Sequence, residues 1–396
     1  MKRIITISLL LISLHLMVMA QHQKADGVAG EKAQVTRPSE ARRVHLADFN
    51  QRNNQAYQVP FDRGDGLAVA AVDNVIIETE KLMQLIRLIE KDNLDWYNDP
   101  ERIRSSKKGS VDSFLLFKDG KLVVEEYFAD AAWDKPHFQM SITKSVTAYA
   151  LGIAIAQGKV DSEEDKILKY LPELSTSDLS DFAKDISLAD ALSMQSGIRL
   201  NEDHTMSKEL GVNQCIPSIL SNCSLLAPGQ HYKYQGIDPE IINHIIYNTT
   251  GSKLEDYVHD HLFVPLGIED YDFETNPCGL TKAAAGLKLR SRDMLKLGVL
   301  TLNQGRWMQQ QVVPKDWIIK ATTAKVNNGK NQYGYFWWQH QVDYQGKSYE
   351  VISARGALGQ FIFVLPELKT VAVFTSYGTK QPFSYLHEYI VPALAN

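Results

Sequence analysis

Ser141 and Lys144, three residues apart, are the pair in this chain best suited to covalent chemistry. Residues at this spacing share one face of a helix, so the lysine amine can approach the serine hydroxyl. A partly desolvated lysine gives up its proton more readily and can then act as a base. A helix that begins here adds positive potential where an oxyanion would form. These features predict a serine nucleophile that attacks a carbonyl carbon.

The Ser-x-x-Lys spacing alone is a weak signal, since a chain of this length contains roughly one or two such strings by chance. The other one, at Ser105 and Lys108, lies in a charged stretch where the lysine stays solvated, and we expect no chemistry from it. For Ser141, the structural alternative is a helix-start serine followed by a lysine with a packed stem. The sequence contains neither Gly-x-Ser-x-Gly nor His-Glu-x-x-His.

The elements that must position this pair can be predicted from local patterns. Residues 141–155 are apolar with helical periodicity and stop before Gly158, which predicts a mostly buried helix. A hairpin is predicted from two β-rich runs around Asp119-Gly120. The remaining patterns predict helices at 76–89, 186–194, 239–247, 291–302 and 383–391, and strands at 335–340, 349–353, 361–365 and 370–375.

The order of these elements is strands, then helices, then strands. It predicts an α+β fold in which both ends of the chain build one antiparallel sheet, flanked by helices, with an inserted helical lobe. We expect the folded domain at 76–396, with an α/β lobe at about 76–140 and 285–396 and the helical lobe at about 141–284. The connection 198–229 is either functional or hides an unrecognised element.

Thr143-Lys144-Ser145-Val146-Thr147, followed by residues 152–158, resembles the active-site helix of the serine β-lactamase-like hydrolases. That family includes class C β-lactamases, penicillin-binding esterases and 6-aminohexanoate-dimer hydrolases, and its fold is the β-lactamase/transpeptidase-like fold. Further segments resemble the family's landmarks in the same order, at 169–174, 193–197, 265–268, 286–298 and 334–338. The resemblance spans about residues 76–396 and implies that Ser141 is the nucleophile and Lys144 its base.

The family's second element is a tyrosine that shuttles a proton between nucleophile and leaving group, in a loop after a Pro-Gly turn. Residues 228–238 resemble this loop and place the shuttle on Tyr234, with Tyr232 as the runner-up. A core tyrosine is the structural alternative for Tyr234. The loop departs from the family pattern at Gly236, where many relatives have asparagine.

The third element is a strand with Lys-Thr-Gly or His-x-Gly, which lines the site and supplies an oxyanion N–H just beyond the glycine. Residues 354–360 resemble its form in aminohexanoate-hydrolase-like and esterase-like members, which places Gly356 at the site and the N–H of Ala357 at the oxyanion. Ala354 replaces the cation that helps β-lactamases to hold the substrate carboxylate. Arg355 compensates only if it points inward, and the alternative is an exposed strand residue.

Weaker candidates include the aromatic run Tyr335, Trp337 and Trp338, in which we expect Trp338 to bind substrate although core positions are the common alternative. His259 and His261 point to different faces of a presumed helix, so we expect no metal site. The predicted chemistry requires no cofactor.

Composition narrows the possible partners and the compartment. Hydrophobic residues make up 44% and charged residues 22%, and 42 Lys and Arg face 47 Asp and Glu, for a net charge of −5. The sequence has no long run of basic residues, so we expect no nucleic-acid partner. Residues 1–20 resemble a signal peptide, so we expect a periplasmic or secreted protein with no stable membrane insertion after cleavage. An uncleaved anchor is the alternative, and residues 21–75 read as a polar arm or linker.

Three cysteines are too few for a disulfide scaffold in an exported chain. Cys215 and Cys223 lie eight residues apart in a loop-like stretch, and the sequence allows them to pair. Cys278 would then be a free thiol.

The sequence therefore predicts an exported serine hydrolase that cleaves a small ester or amide. A D-Ala-D-Ala peptidase or a true β-lactamase would use the same nucleophile, but it should want a cation near position 354. The third hypothesis is a non-catalytic homologue that binds a ligand or a cell-wall fragment, and the departures at Gly236, Ala354 and Leu358 motivate it.

Overall fold

The structure is a computed structural model that describes residues 57–76, 78–98, 109–128, 131–174, 179–200, 206, 209–329, 331–379 and 381–395. Residues Asn53–Asn396 form one compact unit. Met1–Arg52 lies outside the described residues, and so does the predicted signal peptide at 1–20.

The strands of the described residues fall into one large sheet and three small ones. They are β1 Ser110–Lys118, β2 Lys121–Tyr127, β3 His137–Phe138, β4 Ile198–Arg199, β5 Ser224–Leu225, β6 Tyr271–Phe273, β7 Leu287–Leu289, β8 Arg306–Trp307, β9 Gln310–Gln311, β10 Val326–Asn328, β11 Asn331–Tyr333, β12 Trp338–Tyr344, β13 Lys347–Gly356, β14 Gln360–Leu365 and β15 Thr370–Tyr377. The large sheet has eight strands in the order β10-β11-β12-β13-β14-β15-β1-β2, and every neighbouring pair in it is antiparallel.

The helices precede, interrupt and follow these strands. They are α1 Thr79–Asn98, α2 Ile142–Ala156, α3 Asp181–Asp185, α4 Leu188–Leu192, α5 Gly211–Asn222, α6 Ile237–Thr250, α7 Leu254–Val258, α8 Val264–Leu266, α9 Ser291–Leu302, α10 Lys315–Thr322, α11 Pro382–Tyr385 and α12 Val391–Leu394. One core cluster buries α2, α6 and α9 against one face of the sheet, and a second buries α1 and the C-terminal helices against the other. The predicted α+β class is therefore confirmed.

The first hairpin of the described chain joins the sheet beside its last strand, β15. The Asp119-Gly120 turn closes the β1–β2 hairpin with φ of 48° and 85°, the left-handed conformation that this dipeptide favours. Strand β1 then pairs with β15, and the rings of Phe114 and Phe374 stack on this register at 4.7 Å between centroids. This nonlocal pair closes the sheet around the helical segments that lie between β2 and β10 in the sequence.

The part of the predicted arm that the structure describes, residues 57–75, packs against strand β2. Val69 forms a parallel bridge to Leu122, and Leu67 is buried. Arg292 of α9 donates to both carboxylate oxygens of Glu125 and also to Asp65. Asp65 of this segment is therefore paired with a buried arginine of α9.

The pairing of Cys215 with Cys223, which the sequence left open, does not form, since Cys215 is bonded to Cys278 and Cys223 is free. Cys215 lies inside α5, an element of the connection that the sequence left unassigned, and Cys223 caps its C-terminus. Eight residues of helix separate their Cα atoms by about 12 Å. A disulfide spans at most about 7 Å between Cα atoms.

Candidate active site

The structure brings Ser141 and Lys144 together, as the spacing predicts. The ammonium Nζ of Lys144 lies 3.0 Å from the hydroxyl Oγ of Ser141 and donates a second hydrogen bond of 2.6 Å to the carbonyl oxygen of Ala284. Lys144 is only 4% exposed, whereas Ser141 is half-buried and open to a ligand. A buried amine beside a reachable hydroxyl is the geometry that general-base activation of a serine requires.

The backbone around Ser141 is held in an unusual form. Ser141 is the N-cap residue of α2, but its hydroxyl caps no backbone N–H, so it remains available to Lys144. The preceding residue, Met140, has φ of 49°, a left-handed conformation that non-glycine residues adopt at some cost. A Cβ atom on Gly356 of β13 would lie 2.3 Å from the carbonyl oxygen of Gln139. A glycine at 356 thus allows this strand to approach the segment that carries the nucleophile.

Helix α2 is fixed deeper in the core by contacts that leave no room for adjustment. A Cβ on Gly152 would lie 2.1 Å from Cδ1 of Trp317, whose indole N–H donates to the carbonyl of Ala148 at 2.8 Å. One turn below the nucleophile, the Ser145 hydroxyl donates to the carbonyl of Phe336 at 2.8 Å. The helix cannot rotate about its axis without losing these contacts, so the Ser141 hydroxyl is held in place.

Burial lowers the pKa of Lys144 to about 8, and the positive charge of Lys282 acts in the same direction. The carboxylates of Glu240 and Asp238 oppose this shift. A pKa close to the working pH leaves a useful fraction of the amine unprotonated and able to accept a proton. An exposed lysine, with its pKa near 10.4, would be almost entirely charged.

Activity is expected to rise with pH through about 8, because only the neutral form of Lys144 can accept the Ser141 proton. Well below that midpoint, kcat/KM should fall about tenfold per pH unit. This rising limb of the pH profile is measured as kcat/KM between pH 5.5 and 9.5 on any ester that the protein hydrolyses. Circular dichroism at each pH confirms that the protein stays folded. A flat profile between pH 6 and 9 would contradict a lysine base.

Tyr234, not Tyr232, lies against Lys144. Lys144 Nζ lies 5.0 Å from the centre of the Tyr234 ring. Burial raises the pKa of Tyr234, while the neighbouring Ser141 side chain and the charge of Arg355 lower it. The Tyr232 hydroxyl is buried and has no hydrogen-bond partner among the described residues. Of the two tyrosines, Tyr234 is placed to hand a proton to a group bonded at Ser141.

The predicted substitute for the missing cation lies at the edge of the site. Ala354 is 1% exposed and packs in the core cluster beneath α2. Arg355 donates to Ser353 Oγ at 2.8 Å and Asn331 Oδ1 at 2.9 Å, and its third contact is His340 Nδ1 at 2.9 Å. Protein groups therefore occupy much of its donor capacity.

The aromatic candidates divide between core and site. Trp337 and Tyr335 are buried in the core cluster. Trp338 is half-buried, and its ring centroid is 5.5 Å from that of Tyr234. Ala357, the predicted oxyanion residue, is exposed at the end of β13, directly after the close approach at Gly356. Trp338 and Ala357 thus lie beside groups that already border Ser141.

Two buried carboxylates, Asp238 and Glu240, lie at the start of α6, and the sequence analysis did not identify Glu240. Asp238 accepts from Ser196 Oγ at 2.5 Å and Gln235 Nε2 at 3.2 Å, and burial raises its pKa to about 7. Glu240 accepts from the N–H of Ala284 at 3.0 Å, and Ala284 is the residue whose carbonyl receives Lys144. Acidic residues among the isoleucines of 237–246 were the available signal, since a carboxylate on an apolar helix face needs interior donors.

Two further observations bear on cofactors and membranes. In the described part of the chain, no group of three or more His, Cys, Asp or Glu side chains is arranged to hold a metal ion. Among the same residues, no helix combines the length and apolar composition needed to cross a bilayer.

Known proteins share this sequence pattern and this architecture. The family model described as Beta-lactamase matches residues 107–395. A 6-aminohexanoate-dimer hydrolase of Paenarthrobacter ureafaciens is 21% identical over 301 residues, which cover 69% of this chain and 74% of that protein. The structure of a D-stereospecific amidohydrolase from Streptomyces sp. superposes with a TM-score of 0.56 at 17% identity, over 70% of this chain and 94% of the other.

A class C beta lactamase from Rhodobacter sphaeroides superposes with a TM-score of 0.58 at 16% identity, over 72% of this chain and 95% of the other. These structural likenesses show the β-lactamase/transpeptidase-like fold, as the sequence resemblance implied. The family model covers well over half of the chain, and the sequence relatives agree with it. The chain therefore belongs to the beta-lactamase family of serine hydrolases.

Proposed function

We propose that the protein is an exported hydrolase that cleaves a small ester or amide through an acyl-enzyme on Ser141. The observation that carries this proposal is the buried Lys144 amine, 3.0 Å from the Ser141 hydroxyl with its pKa lowered to about 8. Tyr234, whose ring centre lies 5.0 Å from the Lys144 amine, supplies the second proton carrier. An exposed lysine or a hydroxyl engaged in helix capping would support only a structural role.

In the proposed reaction, Ser141 Oγ attacks the carbonyl carbon while Lys144 takes its proton. The N–H groups of Ser141 and Ala357 stabilise the oxyanion of the tetrahedral intermediate. When the intermediate collapses, the leaving alcohol or amine receives a proton through Tyr234. Water then attacks the acyl-enzyme, its proton passes to the same base, and the carboxylic acid leaves with Ser141 restored.

The substrate class follows from what the site offers and from the names of the relatives. Two of the compared proteins are an aminohexanoate-dimer hydrolase and an amidohydrolase, which supports a linear amide or a related ester. Ala354 provides no cation for a substrate carboxylate, and Arg355 is bonded to Ser353, Asn331 and His340. These features argue against a β-lactamase or a D-Ala-D-Ala peptidase as the primary function.

Two features support export. Residues 1–20 have the charge and apolar pattern of a secretion signal. The disulfide between Cys215 and Cys278 is a bond that persists in oxidising compartments and is rare in the cytosol. A periplasmic or secreted location accounts for both features.

The proposal is tested by intact-protein mass spectrometry after exposure of the purified chain to a fluorophosphonate, beside a Ser141→Ala variant. The expected result is a single adduct on the natural chain and none on the variant. Folded protein that forms no adduct would overturn the enzyme proposal in favour of a binding protein. After labelling, turnover of p-nitrophenyl esters or linear amides supports the proposed substrate class, and rapid turnover of nitrocefin alone would replace it with a β-lactamase.

A further inference from the structure

The loop of residues 281–284 lies across helix α2 and receives hydrogen bonds from it. Lys144 donates to the carbonyl oxygen of Ala284 at 2.6 Å. One turn further along the same helix face, the Thr147 hydroxyl is 3.2 Å from the carbonyl oxygen of Ala283. The loop therefore fixes one of the hydrogen bonds of the Lys144 ammonium, and its place decides where the amine sits.

Helix α6 holds the same loop from its other side. Glu240 Oε1 accepts the N–H of Ala284 at 3.0 Å. Asn243, one turn later, donates to the carbonyl oxygen of Thr281 at 2.7 Å. Ala284 is thus bound on both sides, through its N–H to Glu240 and through its carbonyl to Lys144. A displacement of Glu240 would move the group that holds the base.

Glu240 is a buried carboxylate that the proposed reaction does not use. It is 5% exposed, and its second oxygen, Oε2, accepts from Asn276 at 2.8 Å and from Asn243 at 3.4 Å. Burial raises the pKa of Glu240, and the N–H donors on both of its oxygens oppose that shift by stabilising the ionised form. Burying a carboxylate is costly. A buried carboxylate that lies near the proposed base and accepts hydrogen bonds on both oxygens is therefore a candidate for a role in the site.

We propose that Glu240 is a positioning residue for the base. Its carboxylate holds Ala284 so that the Ala284 carbonyl fixes Lys144 beside Ser141. This inference rests on the proposed function, because it assigns a role only if Lys144 is the base.

The charge of Glu240 gives this role a signature that loop packing alone would lack. The groups that act on the Lys144 amine are the carboxylates of Glu240 and Asp238, the ammonium of Lys282, and the neutral hydroxyls of Ser141 and Tyr234. The two carboxylates favour the charged amine, and Lys282 disfavours it. If the Glu240 charge is removed while the others remain, the pKa of Lys144 must fall.

The test is the rate of Ser141 labelling by a fluorophosphonate in Glu240→Gln, measured from pH 6 to 9.5. The amide keeps an acceptor for Ala284 but places a donor against the Asn276 amide. We expect the labelling rate on the high-pH plateau to fall about tenfold, the loss associated with one hydrogen bond to a charged group. We also expect the midpoint of the pH limb to lie below that of the natural chain.

A swap variant separates positioning from damage to the fold. In Glu240→Gln with Asn276→Asp, the new amide donates to the new carboxylate, which keeps an acceptor for the N–H groups of Cys278 and Leu280 that now bond to Asn276 Oδ1. This variant should recover most of the plateau rate and part of the midpoint shift. The matched control is Glu367→Gln, an exposed carboxylate paired with Lys347 in the turn between β14 and β15, which should alter neither quantity.

The outcomes are distinct. An unchanged midpoint and plateau in Glu240→Gln would overturn the inference while Ser141 labelling still supports the proposed function. A lower plateau with an unchanged midpoint, accompanied by a lower melting temperature that the swap does not restore, would reduce Glu240 to a structural residue. If the natural chain is not labelled at any pH, the proposed function fails first.

Discussion

Replacing Lys144 by arginine is expected to lower kcat/KM by about 10³-fold, within the range that general bases contribute. The guanidinium keeps the positive charge but cannot be deprotonated at any accessible pH, so it cannot accept the Ser141 proton. Lys144 is buried and 3.0 Å from the hydroxyl, so no solvent base can take its place without rearrangement. The measurement is kcat/KM on the best ester substrate, together with the fluorophosphonate labelling rate.

A lysine outside the site provides the control for this exchange. Lys288, on β7, is paired with Asp272 at 2.8 Å, and Lys288→Arg should retain nearly all of the activity. The pH limb near 8 should also disappear from whatever activity Lys144→Arg retains. A folded Lys144→Arg enzyme with more than a tenth of the natural kcat/KM would show that another group is the base.

The sequence could predict those parts of the site that depend on local patterns. Ser141 and Lys144 are neighbours on one helix turn, so their approach follows from helical geometry alone. The Asp119-Gly120 hairpin formed as predicted because the turn dipeptide itself favours left-handed backbone. Tyr234 required the family resemblance, because spacing alone does not separate it from Tyr232, and only the folded loop shows which ring lies against Lys144.

The parts that could not be predicted depend on contacts between distant segments. Ala284 is 140 residues from Lys144, and no local pattern indicates that its carbonyl binds that amine. The sequence left open whether Arg355 points inward or is exposed. Its contacts are set by His340 and Asn331, which lie 15 and 24 residues away in the sequence. Such interactions arise from the packing of whole elements, which periodicity does not encode.

Helix α5 was not predicted from the sequence, and this omission affected the prediction of the disulfide. It begins at Gly211 and contains Pro217, both of which are poor helix formers, so the stretch resembles a loop. Once Cys215 is placed in a helix, pairing with Cys223 becomes impossible, and the partner must come from elsewhere. Packing supplies Cys278, whose Cα lies 6.0 Å from that of Cys215.

Loss of this disulfide is expected to lower the free energy of unfolding by about 4 kcal/mol, since it joins residues 63 positions apart and restrains the unfolded chain accordingly. The variant that tests this is Cys215→Ser with Cys278→Ser, because a single change would leave an unpaired thiol in the core. Urea unfolding followed by circular dichroism gives the free energy. The double variant should be less stable, but its folded fraction should still be labelled at Ser141 nearly as well as the natural chain.

Cys223→Ser is the matched control, since its thiol is half-buried and burial raises its pKa to about 11, which keeps it protonated and unreactive. The urea concentration at the midpoint of its unfolding should be nearly that of the natural chain. Reductant should lower the stability of the natural chain and of Cys223→Ser to the level of the double variant, and leave the double variant unchanged. A large loss of unfolding free energy in Cys223→Ser would instead support the pairing of Cys215 with Cys223 that the sequence allowed. The Cys278 turn also carries Asn276, the donor to Glu240, so the same bond that stabilises the fold restrains one end of the network leading to Lys144.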